Sequence, residues 1–194
     1  MRIKRVLAGL ATGVFIFGMV GIAEAALVRS DLVLWNSHWY YTISDSAENY
    51  FTWTEANNYT SSDGYNSYLV TINNQVENDW LVSEFDRYPD YWIGYYQTDN
   101  TDEPGGNWAW VNGETPGYEN WNSGEPNNSS HGSGIGEDYA VFNNAQPGKW
   151  GDYQWNEAGV KFAIVEAVPL PAAVYLFGTG LVALALMKRR RVDA

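Results

Sequence analysis

The stretch "YLVTINNQVENDWL", Tyr68 to Leu81, carries two different periods in fourteen residues. Tyr68-Leu69-Val70-Thr71-Ile72 is aromatic and β-branched, the composition of a strand. Two asparagines interrupt it. Asn74 then has Glu77 three residues on, a capping box with Asn in place of Ser. Val76, Trp80 and Leu81 supply an apolar stripe for a helix ending near Phe85. The stretch therefore reads as a strand that turns straight into a helix. Working outward, Trp39–Ile43 reads as a strand. Thr52 or Thr54 caps a short helix through Tyr59, whose Trp53, Ala56 and Thr60 share one face. Strands follow at Tyr91–Tyr96, at Tyr139–Phe142, around Trp150–Tyr153, and at Lys161–Glu166, with "WAWV" (Trp108 to Val111) interrupting the polar stretches between. Two early helices and many later strands predict an α+β domain. Gln97–Asn107 and Asn112–Gly136 are polar, Gly-rich and studded with Trp and Tyr. Loops this long in a compact domain are usually functional, and their aromatic content argues against disorder.

Composition narrows the classes. The 194 residues include 10 Trp and 14 Tyr but no cysteine, which excludes disulfides and thiolate chemistry. Seven of the eleven basic residues sit at the two ends, Arg2, Lys4 and Arg5 and then Lys188 to Arg191. Between Ala26 and Val168 stand 21 acidic and 4 basic residues. A nucleic-acid binder carries the opposite sign. An acidic body suits cation binding, or solubility alone.

The ends read as addresses. A basic start, an apolar run from Val6 to Ile22 and small residues at Ala23 and Ala25 make residues 1–25 a secretory signal peptide. At the other end, Leu170–Met187 is 18 uncharged residues, long enough for a membrane-spanning helix. The basic cluster after it stays cytoplasmic, so the body is exported. This tail resembles the bacterial PEP-CTERM sorting signal in its Val-Pro-Leu-Pro-Ala variant, with Leu170 where a glutamate usually stands. The resemblance implies an exosortase-like processing enzyme and a final location at the cell surface or outside it. The expected organisation is a signal at 1–25, one domain at 26–167 and a sorting tail at 168–194.

The body itself resembles a C-type lectin-like domain. "FTWTEANNY" matches that family's first helix, and the Tyr68–Leu81 stretch its strand and second helix. "YWIGYY" matches its Trp-Ile-Gly-Leu strand. "WAWVNGE", "YENW", "GEPNN", "GED" and "KWGD" follow in the family's order, so the resemblance covers roughly Leu32 to Ala167. It implies the C-type lectin-like fold: two helices, short antiparallel strands and a long loop region that binds calcium and sugar.

The resemblance also implies a site. Calcium takes about 6–8 oxygen ligands, which must converge from separate segments. Glu125 and Asn127 flank Pro126, and a cis Glu125–Pro126 bond, the family's form, turns both side chains to one point. Glu137 and Asp152 complete the carry-over. The same four residues, Glu125, Asn127, Glu137 and Asp152, are the expected carbohydrate ligands, since vicinal sugar hydroxyls bind the ion and hydrogen-bond the remaining polar atoms. The Glu-Pro-Asn order is associated with mannose-type sugars. A second calcium site would draw on Asp99, Asp102, Glu103, Asn128, Glu137 and Asp138. The implied function is calcium-dependent binding of a mannose-type sugar or exopolysaccharide by a non-enzymatic surface protein. The alternatives are a lectin-like structural or protein-binding domain with little or no calcium, and a carboxylate-pair glycosidase that no spacing favours.

Three departures from the family pattern bear on the site. Gly151 stands where the family has Asn, which removes a calcium oxygen unless Asn143, Asn144, Asn156 or water replaces it. Ten positions separate Asn127 from Glu137, a longer gap than usual. Asn128 stands where a carboxylate is common. The family's two disulfide pairs fall at Thr60 with Val165 and at Tyr139 with Trp155, and an aromatic staple of Tyr139 on Trp155 is expected in place of the second. His38 and His131 are too few for a zinc site.

Overall fold

The computed structural model describes residues 27–47, 49–60, 66–85, 90–129, 136–154 and 160–168. Residues 1–25, expected as a signal peptide, the expected sorting tail after Val168, His131, Trp155 and Asn156 lie outside them. Among the described residues no helix is long and apolar enough to cross a membrane.

Among the described residues, nine strands and two helices follow one another. β1 (Leu27–Arg29), β2 (Val33–Trp35) and β3 (His38–Asp45) come first, then α1 (Trp53–Thr60), β4 (Ser67–Leu69) and α2 (Gln75–Glu84). β5 (Tyr91–Gln97), β6 (Trp108–Trp110), β7 (Tyr139–Phe142), β8 (Trp150–Tyr153) and β9 (Phe162–Ala167) complete the domain. The sheet runs β1-β3-β9-β5-β7-β8, with β2 on β3, β4 on β9 and β6 on β5. Every pairing is antiparallel except β5 with β9. The α+β expectation holds. Three short strands, β1, β2 and β6, do not follow from the sequence pattern: at three residues each they carry too little alternation to register.

The two helices form where the capping chemistry puts them. Thr52 and Glu55 exchange bonds at the start of α1, Glu55 Oε2 accepting from the Thr52 amide at 2.7 Å and Thr52 Oγ1 from the Glu55 amide at 3.1 Å. This reciprocal pair satisfies two amides that a helix start leaves without partners. Trp53, Ala56 and Thr60 are the buried face, as the spacing required. Asn74 caps α2 by accepting from the Glu77 amide at 2.9 Å.

The face of α2 differs from the apolar stripe. Val76 is 70% exposed, whereas Glu77 and Asn78 are buried beside Leu81. Both polar residues are satisfied inside. Glu77 accepts from the Tyr40 hydroxyl and the Asn73 amide, and Asn78 Oδ1 accepts from Trp150 Nε1 at 3.1 Å. Hydrogen bonds to partners distant in sequence thus turn the helix one residue away from its most hydrophobic orientation.

The central strands are covered on both faces. Tyr40, Tyr91, Ile93, Tyr95, Phe142, Trp150 and Ile164 pack into one apolar cluster with Leu81 of α2. Tyr41, Trp92, Val141, Ala163 and Val165 pack into another with Trp53 and Ala56 of α1. Successive residues thus alternate between the two sides of the sheet. Two indoles tie α1 to β5: Trp53 Nε1 donates to Ile93 O at 2.8 Å and Trp92 Nε1 to Phe51 O at 2.9 Å. Gly94 is required by close approach, because a Cβ there would lie 2.4 Å from Leu69 O and 2.7 Å from Val111 Cγ2.

At the positions the family fills with disulfides, Thr60 and Val165 are both buried. Tyr139 packs on Trp53, with ring centroids 4.6 Å apart.

Candidate functional site

A rigid aromatic wall carries the long loop. Trp150 is fully buried among Tyr95, Trp110, Tyr118 and Trp121, at centroid distances of 5.7 to 5.9 Å. Trp121 forms an isolated parallel bridge with Trp150. Asn122 N donates to Trp150 O at 2.7 Å, and Trp150 N to Asn120 O at 3.0 Å. The segment entering the loop is thereby laid alongside β8. Four residues beyond Trp121, Glu125 arrives beside Asp152, two residues beyond Trp150. The aromatic rings serve as packing here, and Trp110 is 2% exposed.

Hydrogen bonds join three of the expected ligands, Glu125, Asn127 and Asp152, and the Glu137 carboxylate adds its charge to that of Asp152 on Glu125. The Glu125–Pro126 bond is cis. Both carboxylate oxygens of Asp152 lie 3.0 Å from the Asn127 amide, and Oδ2 accepts from the Asn128 amide at 2.7 Å. Asn127 Nδ2 donates to Glu125 Oε2 at 2.5 Å. Glu137 is tied to Asn128 and Ser129: Ser129 N donates to Glu137 Oε2 at 2.7 Å, and Glu137 N to Asn128 Oδ1 at 2.8 Å. These bonds set the register of Glu137 despite the longer gap. Asp152 and Glu137 are buried, Glu125 is half-buried and Asn127 is exposed.

The electrostatics are those of crowded negative charge. Burial, then the adjoining Asp152 carboxylate, then Glu137 push the Glu125 carboxyl up to about 8, and the bond from Asn127 offsets only part of this. Burial and Asp152 also raise Asp138 above the usual carboxylate range. Among the described residues no basic side chain pairs with Glu125 or Asp152.

Gly151 has a neighbour in the space its side chain would fill. A Cβ at 151 would lie 2.2 Å from Asn144 Nδ2 and 2.6 Å from Asn144 Cγ. Asn144 is buried, and its Oδ1 accepts from Asn122 Nδ2 at 3.1 Å. Asn143 is spent elsewhere, its Oδ1 accepting from the Gly148 amide at 2.8 Å. Of the expected substitutes, Asn144 is therefore the one that stands against Gly151. Its position on the β7–β8 turn could not be paired with Gly151 before the hairpin register was known.

The residues expected at a second site are less uniform. Asp99 is engaged in its own turn, accepting from the Thr101 amide and hydroxyl and from Asn107 Nδ2. The Thr101 bonds hold it below the usual carboxylate range. Asp102 packs against Gly106. Asn128 is committed to the Glu137 amide. Both oxygens of Glu103, Oδ1 of Asp138 and Oε1 of Gln97 are buried and find no hydrogen-bond partner among the described residues. Gln97 N donates to Asp138 O at 2.8 Å, and Gln97 Nε2 reaches Pro104 O and Gly106 O. Orphaned acceptors with no matching donors suit a hard cation.

The donor set of the first site is likewise all oxygen, which fits calcium rather than zinc. Even so, among the described residues no group of three or more His, Asp or Glu is gathered closely enough to hold a metal ion by itself.

Comparisons with known proteins agree with this architecture. The family model for the lectin C-type domain matches residues 39–158. The low affinity immunoglobulin epsilon Fc receptor of Mus musculus is 37% identical over 90 residues, 46% of this chain and 22% of the receptor. E-selectin of Oryctolagus cuniculus is 35% identical over 125 residues, 62% of this chain and 20% of the selectin. The chain thus matches about a fifth of the length of these two relatives. Among solved structures, the human scavenger receptor C-type lectin carbohydrate-recognition domain superposes with a TM-score of 0.57 at 29% identity, covering 71% of this chain and 96% of that one. With a family match over most of the body and the same fold, the chain belongs to the C-type lectin domain family.

Proposed function

We propose that this domain binds carbohydrate through a calcium ion held by Glu125, Asn127, Glu137 and Asp152. The observation that carries the reading is the Glu125–Asp152 carboxylate pair, which faces Glu137 with no basic side chain to neutralise it. Like charges brought together in a half-buried site raise its free energy until a cation enters. The bound ion would supply coordination to two vicinal sugar hydroxyls. The chain's own groups orient the ring: Glu125 accepts from one hydroxyl and the Asn127 amide donates to the other. The Glu125-Pro126-Asn127 order points to a mannose-type sugar, free or within an exopolysaccharide. Glu103 and Asp138 are the residues best suited to a second ion. The protein is read as an exported binding module rather than an enzyme. Residues 1–25 would direct export. The segment after Val168 would anchor the chain in the membrane until an exosortase-like enzyme removes it.

One observation favours a second reading, a lectin-like structural or protein-binding domain with weak or no calcium. Gly151 offers no ligand, and Asn144 occupies its space with an oxygen already bonded to Asn122. A mannose column separates the two. The first reading predicts retention in calcium and elution by chelator. Passage through the column in calcium supports the second.

A further inference from the structure

A cavity of about 520 Å³ opens between α1 and the β3–α1 connection, sharing no residue with the loop site. Its volume is that of a pocket for a small ligand. One wall is the outer face of α1, where Glu55, Asn58 and Tyr59 fall at i, i+3 and i+4. Asp45, Asn49 and Tyr50 from β3 and the connection after it line the rest. Beside the apolar Leu27 and Phe51, the lining presents two carboxylates, two amides and two phenols, and among the described residues no Lys, Arg or His.

Part of this arrangement is already fixed. Asp45 Oδ1 accepts from the Ala47 amide at 2.7 Å and from the backbone and side-chain nitrogens of Asn49 at 3.2 Å each. Those bonds hold the Asn49 wall and leave Oδ2 outside them. Glu55 Oε2 is committed to Thr52, which leaves Oε1 outside that bond. Tyr50 is 53% exposed, and the Lys161 ammonium stands 5.0 Å from its ring centroid.

We infer that this cavity is a second saccharide subsite that works without calcium. The lining excludes an anionic ligand, because Asp45 and Glu55 would repel it. A purely apolar ligand would strand the carboxylates and amides. An organic cation is the remaining competitor. Against it, the chain's own Lys161 ammonium already stands over Tyr50 and repels a second cation there. A neutral pyranose meets each demand: its hydroxyls pair with the planar acid and amide groups, and its apolar C–H face packs on a tyrosine ring.

The inference stands apart from the loop reading, and the test keeps them separate. The full chain, in a detergent that contains no sugar, is titrated calorimetrically with mannotriose and with cellotriose in excess EDTA. At least one trisaccharide is expected to bind. Tyr50→Ala and Asn58→Ala are each expected to weaken that binding roughly tenfold and to leave calcium-dependent retention on mannose unchanged. Asp152→Asn is expected to retain the EDTA-resistant binding. Absence of binding by both trisaccharides in EDTA overturns the inference. So does binding indifferent to both substitutions, or binding of tetramethylammonium in place of either sugar.

Discussion

Gly151 is where this chain departs most plainly from its family, and the structure makes the consequence of replacing it calculable. A Cβ at 151 would meet Asn144 Nδ2 at 2.2 Å, Cγ at 2.6 Å and Cβ at 3.1 Å. The Asn144 side chain must swing away. Overpacking of this kind costs about 1–3 kcal/mol. The swing also breaks the 3.1 Å bond from Asn122 Nδ2, worth about 1 kcal/mol. Replacing a strand glycine by alanine returns about 0.5–1 kcal/mol of backbone entropy. Gly151→Ala is therefore expected to destabilise the domain by about 1–3 kcal/mol. Asn144→Ala removes the two shortest contacts, so the double variant should recover at least about 1 kcal/mol relative to additivity. Urea unfolding of the four proteins, compared at constant m, measures this coupling. A neutral Gly151→Ala, or two additive substitutions, would refute the claim that Asn144 fills the missing side chain's space. If it is upheld, Gly151→Asn on the Asn144→Ala background restores the family's ligand and should lower the calcium concentration needed for half-saturation.

Two further outcomes follow from packing and charge. Trp150→Ala, at a fully buried site that holds the loop entry to β8, should cost about 3–5 kcal/mol, visible as an early urea midpoint and lost mannose retention. In chelator, stability should fall with rising pH because Glu125 is raised in the folded state. Its contribution is complete below the ordinary value of 4.5 and is lost as pH climbs through about 8. Asp138 acts in the same direction. Melting of the parent and of Glu125→Gln between about pH 5 and pH 8.5 checks this. The parent should lose more than the variant, and identical slopes would contradict the crowded-charge account.

Much of the fold could be read from local signals. The Thr52 and Asn74 caps, the buried face of α1 and six strands follow from residues near one another in sequence. What could not be read depends on distant partners. Val76 faces solvent because Tyr40 and Trp150 satisfy Glu77 and Asn78 inside. Of the site, Glu125 and Asn127 follow from three consecutive residues. Their meeting with Asp152 depends on the Trp121–Trp150 bridge, and the position of Glu137 on the Asn128 clamp. The filling of Gly151 by Asn144 needs the β7–β8 register.

The most direct test is a thermal melt of the full chain against calcium, run beside Asp152→Asn. Extracellular modules bind calcium at about 10⁻⁴–10⁻³ M, and a tenfold excess over that constant adds about 1.4 kcal/mol, or roughly 3–6 °C for a chain of this size. The account predicts that rise in the parent, its reversal by chelator, and its loss in Asp152→Asn. An unchanged melting temperature at about 10 mM calcium, or an equal rise in the variant, would contradict it.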